Sequence, residues 1–161
     1  VVLRPEALGA AYVDEAESLV PAILEGVTDA GYNVVYLPRG RGDRSYAAGY
    51  DDEEVHVPRQ AYDGLQLAAH ADCVLTGSGT MAREAACMGK PAVSFFPSEL
   101  LSVDRELVSE GRIFHSRDAE SIVDYVAGLD AEETRLDRSR SRQVREEVVS
   151  LTDRLVERAA R

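Results

Sequence analysis

The sequence has almost no lysine and no apolar run long enough to cross a membrane. Lys90 is the single lysine among 18 basic residues, so the other 17 are arginines. No stretch approaches the ~20 apolar residues of a spanning helix, and no signal-peptide pattern opens the chain, so we expect a cytoplasmic protein without a membrane span. Cys73 and Cys87 lie inside apolar segments rather than in a metal-ligand cluster. We therefore expect buried, reduced thiols and no metal site.

Positive charge is also scarce. The chain carries 29 acidic residues against 18 basic ones, a formal net charge of −11. A non-specific hold on DNA or RNA needs a basic face, so this balance argues against a nucleic-acid partner. A GC-rich genome would explain why arginine replaces lysine but not the excess of acid. An acidic surface whose self-repulsion is screened by salt explains both, and it favours the cytoplasm of a halophile.

Short apolar segments alternate with helical patterns along the chain. Strands are predicted at residues 1–3, 33–37, 55–58, 72–76, 91–96 and 112–116. The first helix is predicted from near Asp14 to a stop at Gly31, and Pro21 is expected to interrupt or kink it. Further helices are predicted at 61–71, 80–88, 99–110 and 118–129. A long charged helix over 136–161 closes the chain. This alternation predicts a Rossmann-like, three-layer α/β/α fold with a parallel sheet of about six strands.

The stretch Thr76-Gly-Ser-Gly-Thr80 lies where the fourth predicted strand meets the following helix. In such a sheet, ligands bind outside the carboxyl ends of the strands. A helix beginning near Thr80 would direct its unpaired N–H groups and positive dipole end at this turn. Gly77 and Gly79 would let a ligand approach the backbone, and Ser78 would add a hydroxyl. These residues predict a phosphate or diphosphate site.

A structural explanation of the same turn stays open. Ser78 or Thr80 would cap the helix, and the glycines would only permit a sharp bend. Glu84 favours the ligand, because its spacing from Thr80 puts it on the same helix face, where a carboxylate can accept hydrogen bonds from two ribose hydroxyls. A solvated glutamate in the first turns of a helix is the competing interpretation.

Two standard nucleotide motifs were compared with this stretch. A Walker A motif is excluded, because Lys90 has the wrong spacing and is followed by proline. The dinucleotide fingerprint matches loosely as Gly77-x-Gly79-x-x-Ala82, with Glu99 about 20 residues later. It falls after the fourth strand, however, whereas that fingerprint belongs to the first strand–helix turn. A domain binding NAD or FAD is therefore kept as an alternative.

The sequence TGSGTMAREAACMGKPAVSF resembles the nucleotide-sugar-binding half of GT-B glycosyltransferases and UDP-N-acetylglucosamine 2-epimerases. More closely, the chain resembles the C-terminal half of a mostly archaeal family known as domain of unknown function 354. The resemblance implies that Gly77 to Thr80 hold the diphosphate of a UDP-sugar and that Glu84 binds its ribose. It implies no resident cofactor. Thr80 stands where the epimerases have a second glycine, which narrows the room for a diphosphate.

Two further loops are implicated by the resemblance. Arg4 occupies the place of an arginine-containing loop that faces the diphosphate in the epimerases, although a surface role for it stays equally open. His56, Val57, Pro58 and Arg59 follow the third strand, where GT-B proteins hold the base through backbone contacts.

The resemblance also concerns what lies outside the chain. The sequence begins with Val1 rather than methionine, so we expect one nucleotide-sugar-binding domain, residues 1–161, of a longer protein whose N-terminal half is absent. That parent would be a glycosyltransferase or a UDP-sugar epimerase, and this chain alone would be inactive. A domain that has lost the site and serves association is the second alternative. The apolar positions of the 136–161 helix either cover the sheet of the same chain, which we favour, or pair with a second copy as a homodimer.

Overall fold

The computed structural model describes residues 1–9, 17–130 and 132–159, which form a parallel sheet flanked by helices. Its six strands are β1 (Val2–Arg4), β2 (Val34–Tyr36), β3 (Val55–His56), β4 (Val74–Thr76), β5 (Ala92–Ser94) and β6 (Phe114–His115). Each lies inside or overlaps a predicted apolar segment but is only two or three residues long. Segments such as Val74–Thr76 are buried throughout, as expected for strands covered by helices on both faces.

The strand order within the described residues is β3-β2-β1-β4-β5-β6, and all five pairings are parallel. Val2 pairs with Val35 of β2 on one side and with Val74 of β4 on the other. The chain therefore winds outward from β1 in one direction and then returns to wind outward from β4 in the other. This doubly wound order confirms the Rossmann-like α/β prediction and puts a crevice at the carboxyl ends of β1 and β4.

Helices pack on both faces of the sheet. They are α1 (Val20–Asp29), α2 (Gly64–His70), α3 (Gly79–Cys87), α4 (Ser102–Ser109), α5 (Ala119–Ala127) and α6 (Ser139–Ala159), with a 3-10 helix over Asp43–Ala47. One apolar cluster joins α1 and α5 to the sheet, and a second joins α2, α3 and α4. A Cβ on Gly26 would lie 2.5 Å from Val123, so this glycine lets α1 and α5 pack closely. Among the described helices, none is long and apolar enough for a membrane span.

Three glycines end helices, among them the predicted stop at Gly31. Gly31, Gly89 and Gly111 have φ angles of +86°, +70° and +68°, the left-handed conformation that an L-residue adopts only at a cost. They follow α1, α3 and α4, and each stops its helix where the apolar periodicity ends.

Two helix predictions need correction. Pro21 does not interrupt or kink α1, because the helix begins at Val20 and the proline lies in its first turn, where a missing N–H is harmless. Residues 17–19 are not helical, and the start predicted near Asp14 lies outside the described residues. The expectation that the 136–161 helix covers the sheet is wrong, since none of the described residues of α6 is buried.

Candidate functional site

The turn between β4 and α3 lies at the switch point of the sheet. The N–H of Gly77 donates to the carbonyl of Arg4 at 3.0 Å, so the turn continues directly beside the end of β1. On its other side, the N–H of Phe95 donates to the carbonyl of Thr76 at 3.0 Å. These bonds hold the first residues of α3 at the carboxyl edge of the central strands, where the sequence predicts a ligand.

The beginning of α3 is not capped by a side chain. Ser78 occupies the capping position, but its hydroxyl accepts no hydrogen bond from the first turn. The N–H of Ser78 donates instead to Oγ1 of Thr76 at 2.9 Å. Within the described chain, the N–H groups of Gly79, Thr80 and Met81 have no hydrogen-bond acceptor, which leaves the positive end of the helix directed at the crevice. Capping by Ser78 or Thr80, the structural explanation of this turn, is therefore not observed.

The two glycines of the turn have different surroundings. A Cβ on Gly77 would lie 2.5 Å from Cα and 2.7 Å from the backbone nitrogen of Glu6, so its side-chain space is filled by the loop after β1. A Cβ on Gly79 would meet Nη2 of Arg83 at 2.9 Å. Gly77 thus allows the close packing of two loops, whether or not a ligand approaches its backbone.

Six of the predicted site residues line one cleft of about 550 Å³ beside the start of α3. They are Arg4, Pro58, Arg59, Ser78, Thr80 and Glu84. The cleft extends over the carboxyl ends of β1, β2 and β3, because Arg4, Leu37 and Pro58 end or follow these strands. Residues separated by up to 80 positions in the sequence therefore meet in one place. We call this space the arginine cleft.

The charges of the arginine cleft are mostly positive. Arg4, Arg44 and Arg59 line it together with one carboxylate, that of Glu84. None of these arginines forms an ion pair with another residue of the described chain. In a chain with 29 acidic residues, three guanidinium groups without an acidic partner in one concave space form a site suited to an anion.

Two predicted residues lie elsewhere. The side chain of His56 is exposed, its Nδ1 lies 3.0 Å from Oδ1 of Asp52, and it lines a separate hollow with Val1 and His70. Val57 packs against the apolar cluster under α1. Only Pro58 and Arg59 of the predicted base-binding loop therefore face the cleft.

A second cleft of about 840 Å³ lies on the other side of the same helix start and shares Ser78 and Thr80 with the first. Gly77 and Gly79 line this space and not the arginine cleft. Its far wall is the loop from Phe96 to Leu101, so it opens over the ends of β4 and β5. An anion bound at the helix start would reach both clefts.

Buried charges fix the loops around the crevice. The carboxylate of Glu6, whose side chain is fully buried, accepts hydrogen bonds from Ser18 Oγ and Leu19 N at 3.0 Å and from Arg117 Nη1 at 2.8 Å. Arg117 also donates to the carbonyls of Phe95 and Glu17. These hydrogen bonds join the loops after β1, β5 and β6 and so hold the walls of the crevice in place relative to one another.

The single lysine serves the fold. Lys90 is buried, and its Nζ donates to the carbonyl of Thr134. Loss of hydration on burial lowers the pKa of this ammonium, although the nearby Asp72 partly opposes the shift. Its position behind α3, away from both clefts, agrees with the exclusion of a phosphate-binding lysine motif.

Sequence reasoning missed several residues of the arginine cleft. Arg44, Gln60 and Tyr62 line it, and Arg44 comes from the 3-10 helix in the polar loop after β2. That loop contains three arginines, Arg39, Arg41 and Arg44, and nothing in its composition indicates which one faces the crevice. Arg41 belongs to an Arg-Gly-Asp tripeptide, whereas Arg44 belongs to no recognisable motif.

Comparison with known proteins shows that the chain belongs to the DUF354 family, described as a protein of unknown function, whose family model matches residues 1–160. The chain is also 32% identical over 127 residues to the uncharacterized protein MJ0665 of Methanocaldococcus jannaschii. That match covers 78% of this chain and 36% of MJ0665, so the chain spans about a third of the relative's length. The predicted family is confirmed, and the wider kinship with GT-B glycosyltransferases stays a prediction.

Proposed function

We propose that this member of the DUF354 family binds the nucleoside-diphosphate part of an activated sugar, in the first place a UDP-sugar. The observation that carries the proposal is the meeting of Arg4, Ser78, Thr80 and Glu84 in one cleft at the switch point. Residues singled out separately in the sequence line the same space, and that space lies where doubly wound folds bind nucleotides.

Each side of the arginine cleft suits a different part of such a ligand. The uncapped N–H groups and hydroxyls at the start of α3 donate hydrogen bonds to phosphate oxygens. Arg4, at the end of β1, contributes a charge-assisted bond to the same group. Glu84, one turn further along α3, accepts hydrogen bonds from the ribose, and the base lies toward Pro58 and Arg59.

The charge of the cleft agrees with a diphosphate diester. Three arginines and one glutamate give a formal charge of +3 − 1 = +2. A diphosphate that links a nucleoside to a sugar carries two negative charges, one on each phosphate. The complex of ligand and site would therefore have no net charge. A bare phosphate or diphosphate would also lack the ribose hydroxyls that donate to Glu84.

The chemical step belongs to the longer protein. The chain matches 36% of MJ0665, and the resemblance to GT-B proteins implies that the other half of a longer protein would cover the crevice. Transfer or epimerisation of the sugar would occur between the two halves. The 161-residue chain is expected to bind the nucleotide and to catalyse no reaction alone.

Titration followed by two-dimensional NMR tests the proposal. The ligands are UDP, UDP-N-acetylglucosamine, GDP and NAD, added to the chain in molar KCl. We expect the uridine compounds to shift the amide signals of Ser78 to Glu84 and of Arg4. Shifts with NAD alone would assign the domain to the dinucleotide class, and no shift with any ligand would contradict a site in this chain.

The variant Glu84→Ala tests the ribose contact. Losing hydrogen bonds to a charged group costs about 1.5–3 kcal/mol, so the Kd for UDP should rise roughly 10- to 150-fold. The fold should be unchanged, because Glu84 is only half-buried and forms no described ion pair. Glu106→Ala, an exposed helical glutamate outside both clefts, is the matched control and should bind UDP like the wild type. Equal affinities for the two variants would remove Glu84 from the site.

A further inference from the structure

Helix α6 presents an apolar face that no described residue covers. Val144, Val148, Leu151 and Leu155 are each about half-exposed, and none of the described residues of this helix is buried. At ~1.5 Å per residue, its 21 residues make a rod about 31 Å long. An exposed row of valine and leucine along such a rod is a surface for association.

Within the described residues, only the first turn of the helix and Asp137 just before it are attached to the sheet domain. The N–H of Asp137 donates to the carbonyl of Met88 at 3.1 Å, and Ser141 Oγ donates to the carbonyl of Cys87. Arg140 and Glu110 form an ion pair at 2.8 Å. Beyond Ser141, the hydrogen bonds of the described helix stay within it. The apolar row therefore lies on the part of α6 that is free to meet another chain.

The spacing of the row is that of a seam between two helices. Successive members are separated by 4, 3 and 4 residues, the heptad pattern in which each side chain packs between those of a facing helix. Val149 and Val156 are also exposed, but they lie outside the heptad row on the flank of the helix. Val148 therefore belongs to the heptad row, whereas its neighbour Val149 does not.

We propose that α6 pairs with the same helix of a second copy of this chain, in antiparallel orientation. With Val148 opposite Leu151 of the second copy, Val144 lies opposite Leu155, and the two-fold axis repeats both layers. Every layer then joins one valine to one leucine. The row is therefore complementary to itself, as a symmetric dimer requires.

The charges beside the row select the antiparallel orientation. In that arrangement Glu147 faces Arg154 of the second copy, twice by symmetry. Arg154 has no ion pair within the described chain, and Glu147 accepts only a hydrogen bond from Gln143 at 2.9 Å. A parallel pair would instead put Glu147 opposite Thr152 of the second copy, which leaves the carboxylate without a cation.

Sedimentation velocity on the 161-residue chain, with two matched variants, tests the dimer. The wild type at about 100 µM, a concentration suited to a small interface, should sediment with twice the 17.6 kDa mass of the chain. Val148→Glu buries an unpaired carboxylate in both copies and should weaken association at least about 100-fold. Val149→Glu makes the same change one residue along and should leave the dimer intact. Circular dichroism checks that both variants keep the helix content of the wild type.

A charge exchange tests the orientation. Glu147→Arg should weaken the dimer by facing two arginines with each other, and adding Arg154→Glu should restore it. A parallel pair would respond to neither change. A monomeric wild type would overturn the proposal and would leave the face to a different surface, such as the remainder of the longer protein. Equal effects of Val148→Glu and Val149→Glu would overturn it as well.

Discussion

Replacing Gly77 by alanine is expected to destabilise the protein through a loop that is distant in sequence. The added Cβ would lie 2.5 Å from Cα, 2.6 Å from Cγ and 2.7 Å from the backbone nitrogen of Glu6. Comfortable contacts between carbon atoms begin near ~3.5 Å, so the loop after β1 must move by about 1 Å. Two of the three atoms are backbone, and they cannot turn aside as a flexible side chain can.

The cost of that movement follows from what Glu6 holds. Overpacking of this kind costs about 1–3 kcal/mol, and the displaced carboxylate binds Ser18, Leu19 and Arg117. We therefore expect a loss of about 2–3 kcal/mol in the free energy of unfolding. For a domain of this size, that corresponds to a fall in Tm of roughly 4–12 °C. Urea denaturation and thermal unfolding followed by circular dichroism would measure it.

Gly79→Ala is the matched control. The only atom closer to its Cβ than ordinary van der Waals contact would be Nη2 of Arg83 at 2.9 Å, the far end of a flexible side chain, and alanine favours the helix by up to ~1 kcal/mol. This variant should unfold within about 1 kcal/mol of the wild type. If Gly77→Ala were as stable as the wild type, or Gly79→Ala the weaker of the two, the packing explanation of Gly77 would be refuted.

Two further pairs of substitutions test how the loops are held. Glu6→Gln keeps the shape but removes the charge facing Arg117, and should cost about 2 kcal/mol in urea denaturation; Glu99→Gln, in an exposed pair, should cost under ~0.5 kcal/mol. Gly89→Ala and Gly111→Ala both force alanine to positive φ, at about 1 kcal/mol each. Only the Cβ at Gly89 would overlap the carbonyl of residue 137, so its variant should lose a further 1–3 kcal/mol or so, and equal losses would contradict this contact.

Local signals in the sequence predicted the order of the elements. Apolar β-branched segments such as Val34–Tyr36 and stops such as Gly31 depend on neighbouring residues, so they can be identified without the fold. The strands are shorter than predicted, because their ends lose their ladder partners before the apolar segments end. The amphipathic pattern of the last helix indicates that one face avoids water, but it does not indicate what covers that face, and the expected sheet does not.

Contacts between residues distant in the sequence could not be predicted from such local signals. Glu6 and Arg117 are 111 residues apart, and neither belongs to a motif. Similarly, His56 lines a separate hollow although Arg59, three residues later, lines the arginine cleft, because His56 still belongs to β3 whereas Arg59 lies in the loop beyond the carboxyl end of that strand. The end of a strand thus predicts where the site lies to within a few residues. It does not predict which of those residues directs its side chain into the cleft.

Charge rather than glycine therefore supports the proposed ligand. Gly77 has a packing partner that accounts for it whether or not anything binds, so Gly77 by itself favours neither interpretation of the turn. Arg4, Arg44 and Arg59 have no comparable explanation. Placing three guanidinium groups beside a single carboxylate leaves the cleft with a net positive charge, which is unfavourable for the fold itself because like charges repel one another. An anion that enters this cleft reduces that repulsion, and stabilisation of the chain by UDP should consequently decrease when Arg44 is replaced by alanine, but not when Arg41, which lies outside the cleft, is replaced.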